Sequence, residues 1–122
     1  MKDFRQLQVW HRAHALSLLA YEVTAHFPKE ERYGLTSQIR RASYSIPINI
    51  AEGCGRTGNG ELHRFLNISA GSASELQYEW LLARDLKFLS GEQYELMDKR
   101  TTEVKRMLSA LIDHVAADRK AE

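Results

Sequence analysis

Apolar residues recur at intervals of three and four along nearly the whole chain, a spacing that lines up one face of an α-helix rather than one side of a strand. Val9, Ala13, Leu16, Ala20, Val23 and Phe27 follow a 4-3-4-3-4 rhythm and predict a first helix over residues 7–26, stopped by Pro28. After the charged connector Lys29 to Gly34, Thr36 is the expected N-cap of a second helix over 36–52, striped by Ile39, Ala42, Ile46 and Ile50. Pro47 stands inside it. Proline has no N–H, so the Ser43 carbonyl loses its helical donor and a kink is expected. Four glycines between Gly53 and Gly60 then break the pattern, because their backbones lose too much entropy in a helix. A third helix is predicted over 61–89 from the heptad stripe Leu62, Phe65, Ser69, Ser72, Leu76, Glu79, Ala83 and Leu86. Ser90 followed by Gln93 is a capping-box pattern and opens a fourth helix over 91–117, with Met97, Thr101, Val104, Leu108, Leu111 and Val115 inward.

Four such segments with short connections predict an all-α, antiparallel up-and-down four-helix bundle occupying residues 1–122 as a single domain. A chain of this size can bury a sufficient core without metals or disulfides. Two helices carry apolar surface beyond a monomer's need: Trp10, Leu18 and Leu19 on the first, and Leu66, Trp80, Leu81 and Leu82 on the third. This surplus predicts a homo-oligomer whose interface includes Trp10, Leu18, Trp80 and Leu81. Ile68 to Ser74 is nearly free of large side chains and faces Ala42, Ser43 and Ser45, which predicts close approach of helices 2 and 3.

Charge excludes some roles. Seventeen Lys and Arg against sixteen Asp and Glu give a net +1, well mixed, with a local excess of +2 only around Arg40, Arg41 and Arg56. That is not the concentrated basic footprint of a dedicated nucleic-acid binder. The single Cys54 cannot form an intramolecular disulfide, and the polar start MKDFRQLQVW offers no run for a signal peptide or a membrane span. The expected location is cytoplasmic, with no membrane association.

Candidate chemistry is sparse. Gly53, Gly55 and Gly58 match G-x-G-x-x-G by letter, but a dinucleotide fingerprint follows a strand, and these follow a helix. No cofactor is expected; a helix-to-helix turn is, with an anion cupped by the loop and Arg56 as the functional alternative. His11 with His14, and Glu22 with His26, have helical spacings usable by a metal, yet no Glu-x-x-His pair of the di-iron bundle type exists, so no metal is expected. Cys54 lacks a neighbouring base, so no catalytic residue is assigned and the chain is not expected to be an enzyme. Gln38, Arg41, Asn49, Glu52 and Glu75 form a candidate polar cluster between helices 2 and 3. Arg41 is expected to pair there with Glu52 or Glu75, fixing the register; a solvated binding cleft is the alternative.

Phe27-Pro28, Tyr33-Gly34-Leu35, Gln38-Ile39-Arg40-Arg41-Ala42, Ser45-Ile46, Asn49-Ile50-Ala51-Glu52-Gly53, Arg56, and Gly71-Ser72 with Glu75-Leu76 occur in this order. With them the chain resembles, over nearly its whole length, the four-helix-bundle proteins encoded in 23S rRNA intervening sequences. The resemblance implies a small bacterial cytoplasmic protein, commonly a ring of five, with no established enzymatic activity. Related accessory proteins of diversity-generating retroelements form similar pentamers that bind nucleic acid and a reverse transcriptase; they are strongly basic, and this chain is not.

The expected function is a non-catalytic homo-oligomeric adaptor, a pentamer by resemblance, partnered with RNA or a nucleic-acid enzyme. Arg40, Arg56 and Arg64 are the candidate RNA contacts. A protein-only scaffold is the alternative.

Overall fold

A computed structural model describes residues 2–122. Its helices are α1 (Gln8–Thr24), α2 (Leu35–Gly55), α3 (Asn59–Asp85) and α4 (Gly91–Ala121), with short 3-10 turns at Phe4–Gln6 and Lys29–Glu31. No strand occurs among the described residues. α1 packs on α2 and α4, and α3 packs on the same two from the other side, so the four helices close around one core. Ile39, Ile46, Ile50, Leu66, Leu76, Trp80, Met97 and Leu108 are completely buried in it.

The α2/α3 seam is built from small residues. Ser45 and Ser72 share a hydroxyl hydrogen bond of 2.9 Å, and the Ser69 hydroxyl donates to the Ile46 carbonyl at 2.9 Å. A Cβ on Gly53 would stand 2.9 Å from Phe65 Cβ, so the helices meet there only because residue 53 has no side chain. Positions rise along α2 as their partners fall along α3.

Pro47 lies within α2 and is buried. The Ser43 carbonyl, which it leaves without a helical donor, is supplied from another helix: Ser17 Oγ of α1 donates to it at 2.9 Å. Ser17 Oγ also lies 3.1 Å from the Ala13 carbonyl, but that group has the Ser17 N–H of its own helix. The hydroxyl's one proton therefore serves the carbonyl that lacks a donor.

Several helix ends differ from the sequence expectation. Thr36 is not the N-cap of α2; Gly34 is, and the Leu35 N–H is taken by Glu31 Oε1 at 3.0 Å. α2 runs on to Gly55, and the turn to α3 uses Gly58 at φ +88°, open to glycine without strain. α3 stops at Asp85, short of residue 89, because Lys87 adopts φ 66° and closes a Schellman motif. Its two bonds are Phe88 N–H to the Ala83 carbonyl and Lys87 N–H to the Arg84 carbonyl, both 2.9 Å. Phe88 then packs on Phe27 with ring centroids 5.6 Å apart. The capping box of α4 forms as the sequence predicts: Ser90 Oγ accepts from the Gln93 N–H, and Gln93 Oε1 accepts from the Ser90 N–H.

Candidate interaction face

An apolar groove of about 320 Å³ runs along the outer side of α1 and α2. Trp10, His14, Leu18 and Tyr21 form its α1 wall, a ridge spaced four, four and three. Tyr44, Pro47, Ile48 and Ala51 form the α2 wall, and Phe4 closes one end. Leu18 is 59% exposed and Ile48 51%, so apolar surface is presented to solvent in one continuous strip. Trp10 is held rigidly: Phe4 tilts against it at 4.8 Å, and His14 stacks nearly parallel at 5.1 Å. No Asp, Glu, Lys or Arg lines the groove, and His14 is its one imidazole, stacked on Trp10.

Of the four expected interface residues, Trp10 and Leu18 line this groove. Trp80 is corrected: it is completely buried, and its indole N–H donates to Thr101 Oγ1 of α4 at 3.0 Å. Leu81 is half-buried and outside the groove. The reason lies in α3, which packs extensively on both α2 and α4 and therefore buries a broader arc than one stripe. Tyr21, Tyr44 and Ile48 were not assigned from sequence. Their signal was available in the i, i+4 pair Tyr44 and Ile48 opposite to Ile46 and Ile50.

The expected polar cluster does not assemble. Gln38, Arg41, Glu52 and Glu75 are exposed, and Arg41 forms no ion pair with Glu52 or Glu75. Glu52 instead pairs with Arg56 one turn further along α2, at 2.9 Å. Asn49 is half-buried and bonds back to the Ser45 carbonyl at 2.8 Å and to its hydroxyl at 3.0 Å. Both pairings are local to α2, so they contribute little to inter-helix register.

The three candidate RNA contacts separate. Arg40 sits at the C-terminal end of α1, its Nε donating to Thr24 Oγ1 at 2.9 Å and its guanidinium lying 4.5 Å over the Tyr21 ring. It tops off that helix end, as a cation there should. Arg56 and Arg64 come together over the Phe65 ring, at 5.2 and 4.4 Å from its centroid. Each also holds a carboxylate, Glu52 for Arg56 and Glu61 for Arg64.

Two buried groups remain. Cys54 is 1% exposed, and burial pushes its thiol above the usual range, the opposite of an activated nucleophile. Glu79 is 7% exposed, and its Oε1 has no hydrogen-bond partner. Burial, with the like charge of Glu75 one turn away, pushes its carboxyl up to about 7. Among the described residues no three His, Cys, Asp or Glu side chains converge as a metal site requires, and no helix is long and apolar enough to cross a membrane.

The fold defines the class: an all-α four-helix-bundle protein. A solved structure of the same architecture is a protein of unknown function from the S23 ribosomal protein family of Bacteroides thetaiotaomicron VPI-5482. It superposes with a TM-score of 0.77 at 23% identity, over 85% of this chain and 97% of that one. The chain belongs to the 23S rRNA-intervening sequence protein family, whose model matches residues 5–110. Among curated proteins none matches it.

Proposed function

We propose that this protein is a non-catalytic cytoplasmic adaptor that assembles with copies of itself through the α1/α2 groove and presents the assembly to RNA or a ribonucleoprotein. The groove carries the reading: a strip of Trp10, Leu18, Tyr21, Tyr44 and Ile48, rich in the aromatic residues that interface cores favour and free of charged lining. A ring of five, as the family resemblance implies, uses a heterologous contact in which the groove of one copy meets a different surface of the next. Tyr78 of α3 and Leu86 just beyond its end, 59% and 47% exposed, are apolar surface available for that second half. Kinship with retroelement accessory proteins belongs to the same proposal and supplies its nucleic-acid arm.

Light scattering at micromolar concentration tests the assembly. The expected mass is several times the 14.0 kDa of the chain, and Leu18→Glu or Ile48→Glu should return it to that of one chain. A mass of 14.0 kDa that does not change with concentration overturns the reading.

A protein-only scaffold is the second reading. It is favoured by one observation: Arg56 and Arg64 each spend their charge on a neighbouring glutamate, leaving no net positive charge in that foursome. Failure of the wild-type assembly to retard mixed-sequence RNA at low salt selects it.

A further inference from the structure

We infer that the groove between the start of α3 and the end of α4 binds a phosphate group, with Arg119 as its principal contact. Its lining includes Gly60, Glu61, His63, Arg64, Asn67 and Arg119, in a depression of about 810 Å³. Sequence reading placed only Arg64 here, because Arg119 lies in the polar tail, more than fifty residues away.

The donor and acceptor inventory of this groove is lopsided. Arg119 forms no ion pair among the described residues, and its guanidinium lies against Gly60, where an added Cβ would be 3.6 Å from Cζ. Arginine offers five N–H donors and no acceptor. The one carboxylate of the groove, Glu61, accepts from Arg64 Nε at 3.0 Å, and that bond holds its carboxyl below the usual range. Arg64 uses that donor on Glu61 and keeps its terminal nitrogens. Asn67 Nδ2 lies 3.0 Å from the His63 carbonyl, which can only accept, so the amide orientation is set and the N–H₂ faces His63. The same nitrogen is 3.2 Å from His63 Nδ1, which makes Nδ1 the acceptor and places the ring proton on Nε2. His63 is thereby a third donor. The groove sets two guanidiniums, Arg64 and Arg119, against one carboxylate already paired with Arg64, and with Arg119 unpaired among the described residues this excess of cationic donors is complementary to an acceptor-rich anion. Phosphate, with three oxygens that match a guanidinium fork, is the natural occupant.

The phosphate can come from a small anion or from an RNA backbone, and only the second alternative rests on the RNA arm of the function proposed above. Titrating inorganic phosphate into the ¹⁵N-labelled full chain should shift the Gly60 amide and His63 ring resonances. Arg119→Ala should abolish those shifts, and Arg119→Lys should weaken them. Arg106→Ala, at a different depression on α4, should leave them intact. For RNA, the anisotropy of a labelled 20-nucleotide mixed-sequence single strand should show about tenfold weaker binding for Arg119→Ala. Its log–log salt slope should be shallower by about 0.7, the value for one lost phosphate contact. Phosphate shifts without RNA binding assign the groove to a small anion. Neither shifts nor RNA binding, or phosphate shifts and RNA binding both indifferent to Arg119, overturns the inference. An assembled chain that fails here leaves the self-association reading standing, and a monomer that passes does the reverse.

Discussion

Ser17→Ala should destabilise the bundle far more than loss of one hydroxyl ordinarily does, because it orphans a carbonyl that proline has already stripped of its helical partner. Ser17 is 7% exposed and the Ser43 residue completely buried, so water cannot replace the 2.9 Å bond without opening the α1/α2 contact. An unsatisfied buried acceptor costs about 1–3 kcal/mol, against which the better helix propensity of alanine returns at most about 0.5 kcal/mol. With an unfolding entropy of about 2.1 cal/mol/K per residue, a chain of 122 residues loses about 4 °C in Tm for each kcal/mol. The expected loss is therefore about 2–10 °C, read from the helical circular dichroism signal at matched protein concentration. The decisive comparison is a double-mutant cycle with Pro47→Ala. Alanine at 47 restores an N–H positioned for the Ser43 carbonyl, so Ser17→Ala should cost at least about 1 kcal/mol less in that background. Equal losses in both backgrounds would refute the assignment of the Ser17 hydroxyl to the carbonyl freed by Pro47.

Glu79 ionises near 7 in the fold and near 4.5 when unfolded, so its protonated form contributes stability that is complete below 4.5 and disappears as pH rises through about 7. Denaturant midpoints should fall between pH 5 and 8 by the equivalent of up to about 3 kcal/mol, and Glu79→Gln should flatten the profile and be the more stable chain at pH 8; a parallel profile contradicts this. Gly53→Ala should destabilise by about 1–3 kcal/mol although alanine is the better helix former, because its Cβ would meet Phe65 at 2.9 Å; a raised Tm means the seam can open. Lys87→Gly should stabilise by about 0.5–1 kcal/mol by relieving φ 66° at the end of α3, and an unchanged urea midpoint argues against strain there. Trp80→Phe should lose the Thr101 bond and lower stability by about 1–2 kcal/mol without changing the oligomeric mass, whereas a change in mass would return Trp80 to an interface.

Much of this fold was legible in the sequence because a helix that buries a narrow arc writes a single stripe. Val9, Ala13, Leu16 and Ala20 of α1, and Met97, Thr101, Val104 and Leu108 of α4, are buried as their spacing requires. The capping box was equally readable, since it involves only residues 90 and 93. On α3 the sequence is ambiguous. Leu62, Ser69, Leu76 and Ala83 belong to two overlapping heptads, one completed by Phe65, Ser72, Glu79 and Leu86, the other by Leu66, Ala73 and Trp80. Period alone cannot choose between them. Contact with α2 on one flank and α4 on the other buries Leu66, Ala73 and Trp80 fully, keeps Glu79 inside without a partner, and leaves Leu86 in solvent.

The polar groups show the same division. Local pairs such as Glu52 with Arg56 and Arg64 with Glu61 follow from helical spacing, where residues three and four apart are neighbours. The cluster expected around Arg41 required side chains on two helices to project toward each other, and the relative rotation of α2 and α3 turns Arg41 and Glu75 outward instead. Ser17 and Ser43 are 26 positions apart, and the serine reads as an ordinary helix residue until α1 is laid against α2. Periodicity and caps are properties of one helix and are written in its own residues. Which arc of α3 is buried, which carbonyl a hydroxyl reaches and where apolar surface stays exposed depend on two helices at once, and so were decided only when the bundle packed.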